Sequence, residues 1–373
     1  MNTMKKIGLI TIYHVPNFGS VLQTYATQEV IRKLGYECIV LRYKYPNEWH
    51  YTQGRQRPSL KSRIGHLLGL KPAHRKANKL EKFRRKFLNF SRLYDSLDAM
   101  NDENWTQYHS VAVGSDQVWN ARFTLADSAF LLSFLPDSVR RLSIASSFAL
   151  NSLPVELCEK YRKYLSRFNA LSVREKNGID IIRNQLKLNS NPVIVLDPTL
   201  LLGSEDWLSL LPRSRFVKRK KYILLYMLTY AFEPRPYIFD VLKYMSEKYG
   251  YEILALEGYT SAQQAKGLVM QNKTDSSISE FIDLFANADM VVTSSFHGTA
   301  FAVNFGIPLI SIIPNDKGDD RQSSLLRQLG LEQCIVPIGT EIESIDPNYD
   351  IIKANNNLSQ IRHDCLEWIN ENL

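Results

Sequence analysis

A chain of 373 residues is too long for one ordinary core and predicts two domains. Its 45% hydrophobic and 23% charged residues suit a globular protein, and nowhere do about 18 apolar residues run together as a membrane span requires. Four scattered cysteines (Cys38, Cys158, Cys334, Cys365) argue against zinc ligation or a disulfide framework. No signal-peptide pattern opens the chain, so a reducing cytoplasm is the expected compartment.

Read in chain order, residues 6–13 form an apolar strand, 14–19 a loop, 20–34 a helix closed by Gly35, and 37–43 a second strand. That βαβ opening implies a right-handed crossover and a parallel sheet. A basic insertion follows. Between Arg55 and Arg92 there are thirteen Lys or Arg against one acid, Glu81, a balance of +12 within a net charge of +8. The remainder of the chain therefore stands at −4. Leu80, Phe83, Phe87 and Phe90 fall at helical spacing and predict a narrow apolar stripe on a basic helix. Leu60, Ile64, Leu67 and Leu68 suggest a shorter helix before it. A helix of this kind packs its stripe on its own domain or lies on anionic lipid, and the sequence leaves both open. No nucleic-acid motif accompanies the charge.

Strands are expected at 110–113, 141–145, 170–173 and 193–196, with a helix over 178–186. The basic stretch 212–221 reads as an interdomain linker. A second alternation then begins, with strands at 222–228, 251–256, 290–293 and 309–313. Its helices are expected at 236–249, 279–286, 299–305 and 323–329, and a last helix at 358–370. The implied fold is α/β, with two Rossmann-like domains (1–212 and 221–345), a C-terminal helix (346–373) and a cleft between the domains.

Distinctive polar residues recur where predicted strands end, the edge at which open α/β sheets bind ligands. Asn17 and Gly19 lie in the first such turn, which either binds an anion at a helix N-terminus or is an ordinary βα turn. Ser115 and Asp116 follow the strand 110–113. Asp116 either orients a hydroxyl or caps the next helix. Arg174 is either an anion clamp or half of an internal ion pair beside Glu175. Asp197-Pro198-Thr199 is expected to shape a turn rather than to do chemistry. His297, flanked by Ser294, Ser295, Gly298 and Thr299, is the strongest catalytic candidate, because a histidine there can titrate near neutrality beside a phosphate cradle. Lys317 and Arg321 follow the next strand and could add positive charge.

Five blocks carry a family resemblance. They are Asn17-Phe18-Gly19-Ser20-Val21-Leu22-Gln23 and Val113-Gly114-Ser115-Asp116-Gln117-Val118-Trp119-Asn120, then Ser172-Val173-Arg174-Glu175, Val195-Leu196-Asp197-Pro198-Thr199-Leu200-Leu201 and Ser295-Phe296-His297-Gly298-Thr299. In this order they resemble the polysaccharide pyruvyl transferases. The resemblance implies a GT-B-like glycosyltransferase architecture, phosphoenolpyruvate as donor, a sugar or lipid-linked glycan as acceptor, and no cofactor or metal. It implies a pyruvate ketal as product, with the acceptor on the N-terminal domain and the donor on the C-terminal one. His297 would contact the donor, protonating it or holding its phosphate, and Asp116 would serve as base or orient the acceptor, with Arg174 and Arg321 as candidate clamps. Peripheral contact with an anionic membrane would suit a lipid-linked acceptor; nucleic acid is not an expected partner. Some members have Arg-Leu-His-Gly where this chain has Ser295-Phe296-His297-Gly298. Two other readings stay open: a nucleotide-sugar glycosyltransferase of the same architecture, and a carbohydrate-binding relative without turnover.

Overall fold

The computed structural model describes residues 4–44, 69, 71–212, 220–259, 267–315 and 321–373. The expected helix around Leu60 to Leu68, most of the linker and Lys317 lie outside them. The chain divides into two compact units, one of Met1–Ser59, Phe83–Leu201 and Ile361–Leu373, the other of Leu60–Lys82 and Leu202–Gln360.

In the first unit β1 (Lys6–Ile10), β2 (Glu37–Tyr43), β3 (Phe90–Tyr94), β4 (Ser110–Val113) and β5 (Arg140–Ser143) form one parallel sheet in the order β3-β2-β1-β4-β5. The short strands β6 (Ser172–Val173) and β7 (Val193–Ile194) pair with each other, and single bridges tie them toward β5. β4 is buried at every position, as a parallel strand covered on both faces must be. The helix Phe18–Lys33 starts because Asn17 Oδ1 accepts from the amides of Gly19 (2.7 Å) and Ser20 (3.4 Å). It ends at Gly35, whose φ of 91° lies in the left-handed region that glycine occupies without strain. Trp119 is fully buried against Phe148 (5.0 Å between ring centroids), with its Nε1 donating to the Phe130 carbonyl at 2.9 Å.

The second unit repeats the plan. Here β8 (Tyr222–Tyr226), β9 (Glu252–Glu257), β10 (Gln271–Asn272), β11 (Met290–Thr293), β12 (Leu309–Ile313) and β13 (Ile335–Pro337) run in the order β10-β9-β8-β11-β12-β13, all parallel. This is the Rossmann order, with the direction of winding reversing between β8 and β11. In the first unit the same reversal falls between β1 and β4.

Several expectations shift in detail. The helix expected at 299–305 is Phe296–Asn304, because Ser295 caps it four residues earlier. His297 therefore sits inside the first helical turn rather than in a loop. The helix expected at 178–186 is Lys176–Asp180 continued by a π-helical turn, Ile181–Gln185. The last helix is longer than expected, Ile351–Asn372. Phe90 leaves the apolar stripe, since it belongs to β3.

The basic helix, Pro72–Phe87, buries Lys76 and Arg84 and pairs Arg75 and Lys79 at the surface, while Lys82, Arg85 and Lys86 stay exposed. Within the second unit Arg75 pairs with Asp275 (2.6 Å), Lys76 contacts Glu257, and Lys79 reaches Glu280 (3.3 Å) and the Asp275 carbonyl (2.8 Å). Burial pushes the Lys76 amine down to about 7, and the Glu257 carboxylate favours its charged form. Within the first unit Phe83 and Phe87 pack on Tyr25, and Arg84 is buried against the carbonyls of Tyr13 (3.3 Å) and His14 (3.4 Å). The stripe thus packs on its own protein, and Arg84 is not a surface charge. Among the described residues no helix is long and apolar enough to cross a membrane.

Candidate functional site

At the reversal point of the first sheet the turns after β1 and β4 meet. Asp116 leaves β4 with φ at 71°, a left-handed conformation uncommon outside glycine but tolerated by Asp. The residue is 9% exposed. Its Oδ2 accepts from Ser20 Oγ at 2.7 Å, across the reversal point, and its Oδ1 accepts from the Gln117 amide at 2.9 Å. The close approach of the two turns needs Gly114, where a Cβ would stand 3.0 Å from Thr11 Cβ. Asp116 does not cap the next helix; Asn120 does, accepting from the Arg122 amide.

Behind Asp116 lies a buried ionic cluster. Arg174 Nη1 donates to Asp197 Oδ2 at 2.7 Å, Nη2 stands 3.9 Å from Asp116 Oδ1, and Nε stands 3.6 Å from Glu175 Oε2. Ser115 Oγ donates to the same Asp197 oxygen at 2.8 Å. Glu175 Oε1 accepts from Ser147 Oγ (2.8 Å) and from the amides of Phe148 (3.1 Å) and Ala149 (3.3 Å). Three carboxylates thus stand around one guanidinium. Arg174 therefore makes internal ion pairs, with Asp197 the nearest of the three partners.

At the reversal point of the second sheet the arrangement is built from hydroxyls and backbone. Ser294 Oγ donates to the Leu228 carbonyl (2.9 Å) and accepts from the Leu228 amide (3.0 Å), joining the turns after β8 and β11. Ser295 Oγ accepts from the Gly298 amide at 3.4 Å. Thr299 Oγ1 donates to the Ser295 carbonyl (3.1 Å) and shares a hydrogen bond with Ser311 (2.8 Å), which also accepts from Gln322 (2.8 Å). Gly298 is fixed by packing, since a Cβ would overlap Thr293 Oγ1 and come within 2.9 Å of Tyr226. These residues brace the turn. His297, 7% exposed, projects from the first turn of the helix, where amides lack intrahelical acceptors and the dipole favours anions. Arg321, also buried, begins the helix Arg321–Gln328.

The structure thus gathers Asn17, Gly19, Ser115, Asp116 and Arg174 in the first unit, and Ser294, Ser295, His297 and Gly298 in the second. Ser20, Glu175 and Asp197 belong to the first group although none was singled out for chemistry. Asp197 shapes its turn as expected, with Oδ1 accepting from the Thr199 amide (3.0 Å) and hydroxyl (2.8 Å), while its other oxygen enters the ionic cluster.

Two parallel sheets of Rossmann type, each with polar residues at its winding reversal, define the GT-B-like class. The chain belongs to the polysaccharide pyruvyl transferase family, whose model matches residues 17–316. Its fold is similar to that of a UDP-N-acetylglucosamine 2-epimerase described as putative from Listeria monocytogenes (TM-score 0.54, 11% identity, covering 98% of this chain and 91% of that one). It is similar also to MnaA of S. aureus in a structure with UDP (0.52, 11%, 98% and 91%). The UDP-GlcNAc 2-epimerase of Methanocaldococcus jannaschii gives comparable values (0.51, 12%, 98% and 100%). At such identities the likeness concerns the fold alone. No curated protein matches the chain.

Proposed function

We propose that the protein transfers pyruvate from phosphoenolpyruvate to two hydroxyls of a sugar, as a ketal, with release of phosphate. The reaction would serve cytoplasmic assembly of a capsule, exopolysaccharide or cell-wall glycan. The observation that supports this most is the difference in chemistry between the two winding reversals. One presents a carboxylate, Asp116, hydrogen-bonded to a hydroxyl; the other presents a histidine at the positive end of a helix.

Phosphoenolpyruvate carries a phosphate and a carboxylate and needs N–H donors and cations. In this reading His297 and the first-turn amides of its helix hold the phosphate, with Arg321 and Lys317 adding charge. His297, as the acid in this reading, gives its proton to the methylene carbon, which leaves an oxocarbenium-like centre at the enol carbon. A sugar hydroxyl attacks it while Asp116 takes the hydroxyl proton. The C–O bond to phosphate then breaks with its electron pair on the phosphate, which departs with the proton held by Asp116; the second hydroxyl closes the ketal and returns its proton to His297. Arg174, ringed by carboxylates, supports Asp116 rather than the donor.

Incubation with phosphoenolpyruvate and a panel of lipid-linked and polymeric glycan acceptors tests the proposal. The expected result is phosphate release matched by the mass gain of one pyruvate ketal per acceptor. Turnover of a nucleotide sugar with none of phosphoenolpyruvate would overturn it. His297→Ala is expected to lower kcat by about 10²-fold or more, the scale of lost acid–base catalysis.

A further inference from the structure

We infer that Asp197 is a positioning residue that holds the Arg174 guanidinium away from Asp116 and so keeps the Asp116 carboxylate available to an acceptor hydroxyl. The inference rests on the reading of Asp116 as the acceptor-side base. Asp197 is 1% exposed and works in two directions. Its Oδ1 is anchored by the amide and hydroxyl of Thr199, at 3.0 and 2.8 Å, so the carboxylate cannot swing. Its Oδ2 faces the cluster and accepts from Ser115 Oγ and Arg174 Nη1, at 2.8 and 2.7 Å. One oxygen therefore fixes both the residue preceding Asp116 and the cation beside it.

The distances carry the argument. A guanidinium that met Asp116 directly would form a short, charge-assisted pair and occupy the oxygens that a hydroxyl must reach. Instead Arg174 gives its short contact to Asp197, and Nη2 stands 3.9 Å from Asp116 Oδ1. Glu175, 3.6 Å from Nε, draws the same cation from another side. Among the described residues, Asp116 has the Ser20 hydroxyl on Oδ2 and its neighbour's amide on Oδ1 as its short contacts. The backbone around it is held in costly conformations, with positive φ at Asp116, Ala145 and Ala149. The amides of Phe148 and Ala149 are pinned by Glu175, so the frame resists collapse. Asp197 needs full charge for this task, because a neutral amide would leave Asp116 and Glu175 as the remaining carboxylates for Arg174.

The test compares Asp197→Asn, Asp197→Glu and Asp116→Asn in the phosphate-release assay. Asp197→Asn is isosteric but neutral; Asp197→Glu keeps the charge and adds a methylene to a packed site. A charge-holding role predicts the order Glu above Asn in kcat. It predicts a fall for Asn of about 10- to 100-fold and a KM for phosphoenolpyruvate within about twofold of the parent. A merely structural role predicts the reverse order, since overpacking disturbs a core more than an isostere does. Asn equal to or above Glu, or a raised KM with kcat preserved, overturns the inference. If neither Asp197 variant folds, Ser115→Ala is the smaller probe: kcat is expected to fall about threefold with KM unchanged, and a parental kcat overturns the inference. Asp116→Asn separates the two levels. Loss of turnover there with Asn above Glu at position 197 leaves Asp116 as base and removes only the role of Asp197. Parental turnover by Asp116→Asn removes the base assignment itself.

Discussion

The two winding reversals solve one mechanical problem with different materials. In the first sheet the turns after β1 and β4 are joined by the Asp116 carboxylate, which accepts from Ser20, and Asp116 is backed by Arg174, Glu175 and Asp197 from the turns after β6 and β7. In the second sheet the turns after β8 and β11 are joined by Ser294 to the Leu228 backbone, Thr293 to the Tyr226 carbonyl (2.6 Å) and a glycine at the closest approach. The first junction depends on charge balance, the second on shape and neutral hydrogen bonds. The carboxylate proposed as base thus sits among charged neighbours, whereas the histidine proposed to meet the donor starts a helix on a rigid, neutral turn.

The largest effect that separates the two is expected from Arg174→Met. It takes the guanidinium away from three carboxylates, and breaking a buried pair in this way costs about 3–5 kcal/mol. Urea unfolding checks it. The comparison makes a further demand: the loss should shrink in acid, where the carboxylates take up protons and the uncompensated charge disappears. A variant as stable as the parent at neutral pH would show that charge does not hold the first junction.

A smaller effect of opposite physical origin is expected from Gly298→Ala. Helix propensity alone favours alanine by about 1 kcal/mol. The added methyl would meet Thr293 Oγ1, which cannot retreat because it donates to the Tyr226 carbonyl and accepts from the Ser295 amide at 3.0 Å. Overpacking at a braced site costs about 1–3 kcal/mol, so the net sign is destabilising. Here acid should change nothing in the difference, since no ionised group is involved. A stabilised variant in thermal melts would place the first turn further from β11 than the geometry shows.

These particulars also mark how far the sequence could be read. The βαβ alternation and the buried parallel strands were legible because unbroken apolar runs bounded by turn residues have few other solutions. The candidate residues fell at strand ends for the same reason. What could not be read was partnership across long separations. Asp197 looked like a turn residue because its local bond to Thr199 is all that adjacent sequence reveals; its bond to Arg174 depends on β6 and β7 pairing. The basic helix shows the same limit, since its apolar stripe was legible but its partners Asp275 and Glu280, some two hundred positions from Arg75 and Lys79, were not. Ser295 was read as part of a phosphate cradle, whereas a serine followed by a helical run is also the ordinary cap.

That last ambiguity gives the smallest and most discriminating test. Ser295 Oγ meets the Gly298 amide at 3.4 Å, a long cap bond, so Ser295→Ala should cost about 0.5–1 kcal/mol in stability. If capping is its whole task, kcat and the KM for phosphoenolpyruvate should stay within about twofold of the parent. Ser295→Arg, which restores the residue some family members carry, loses the same cap and adds a cation next to His297. A lower KM for phosphoenolpyruvate with the same loss of stability would show that the second junction can accept charge and that this chain manages without it. A raised KM in Ser295→Ala would show the hydroxyl in contact with the donor, and the second junction would then serve the ligand as directly as Asp116 is proposed to serve the acceptor.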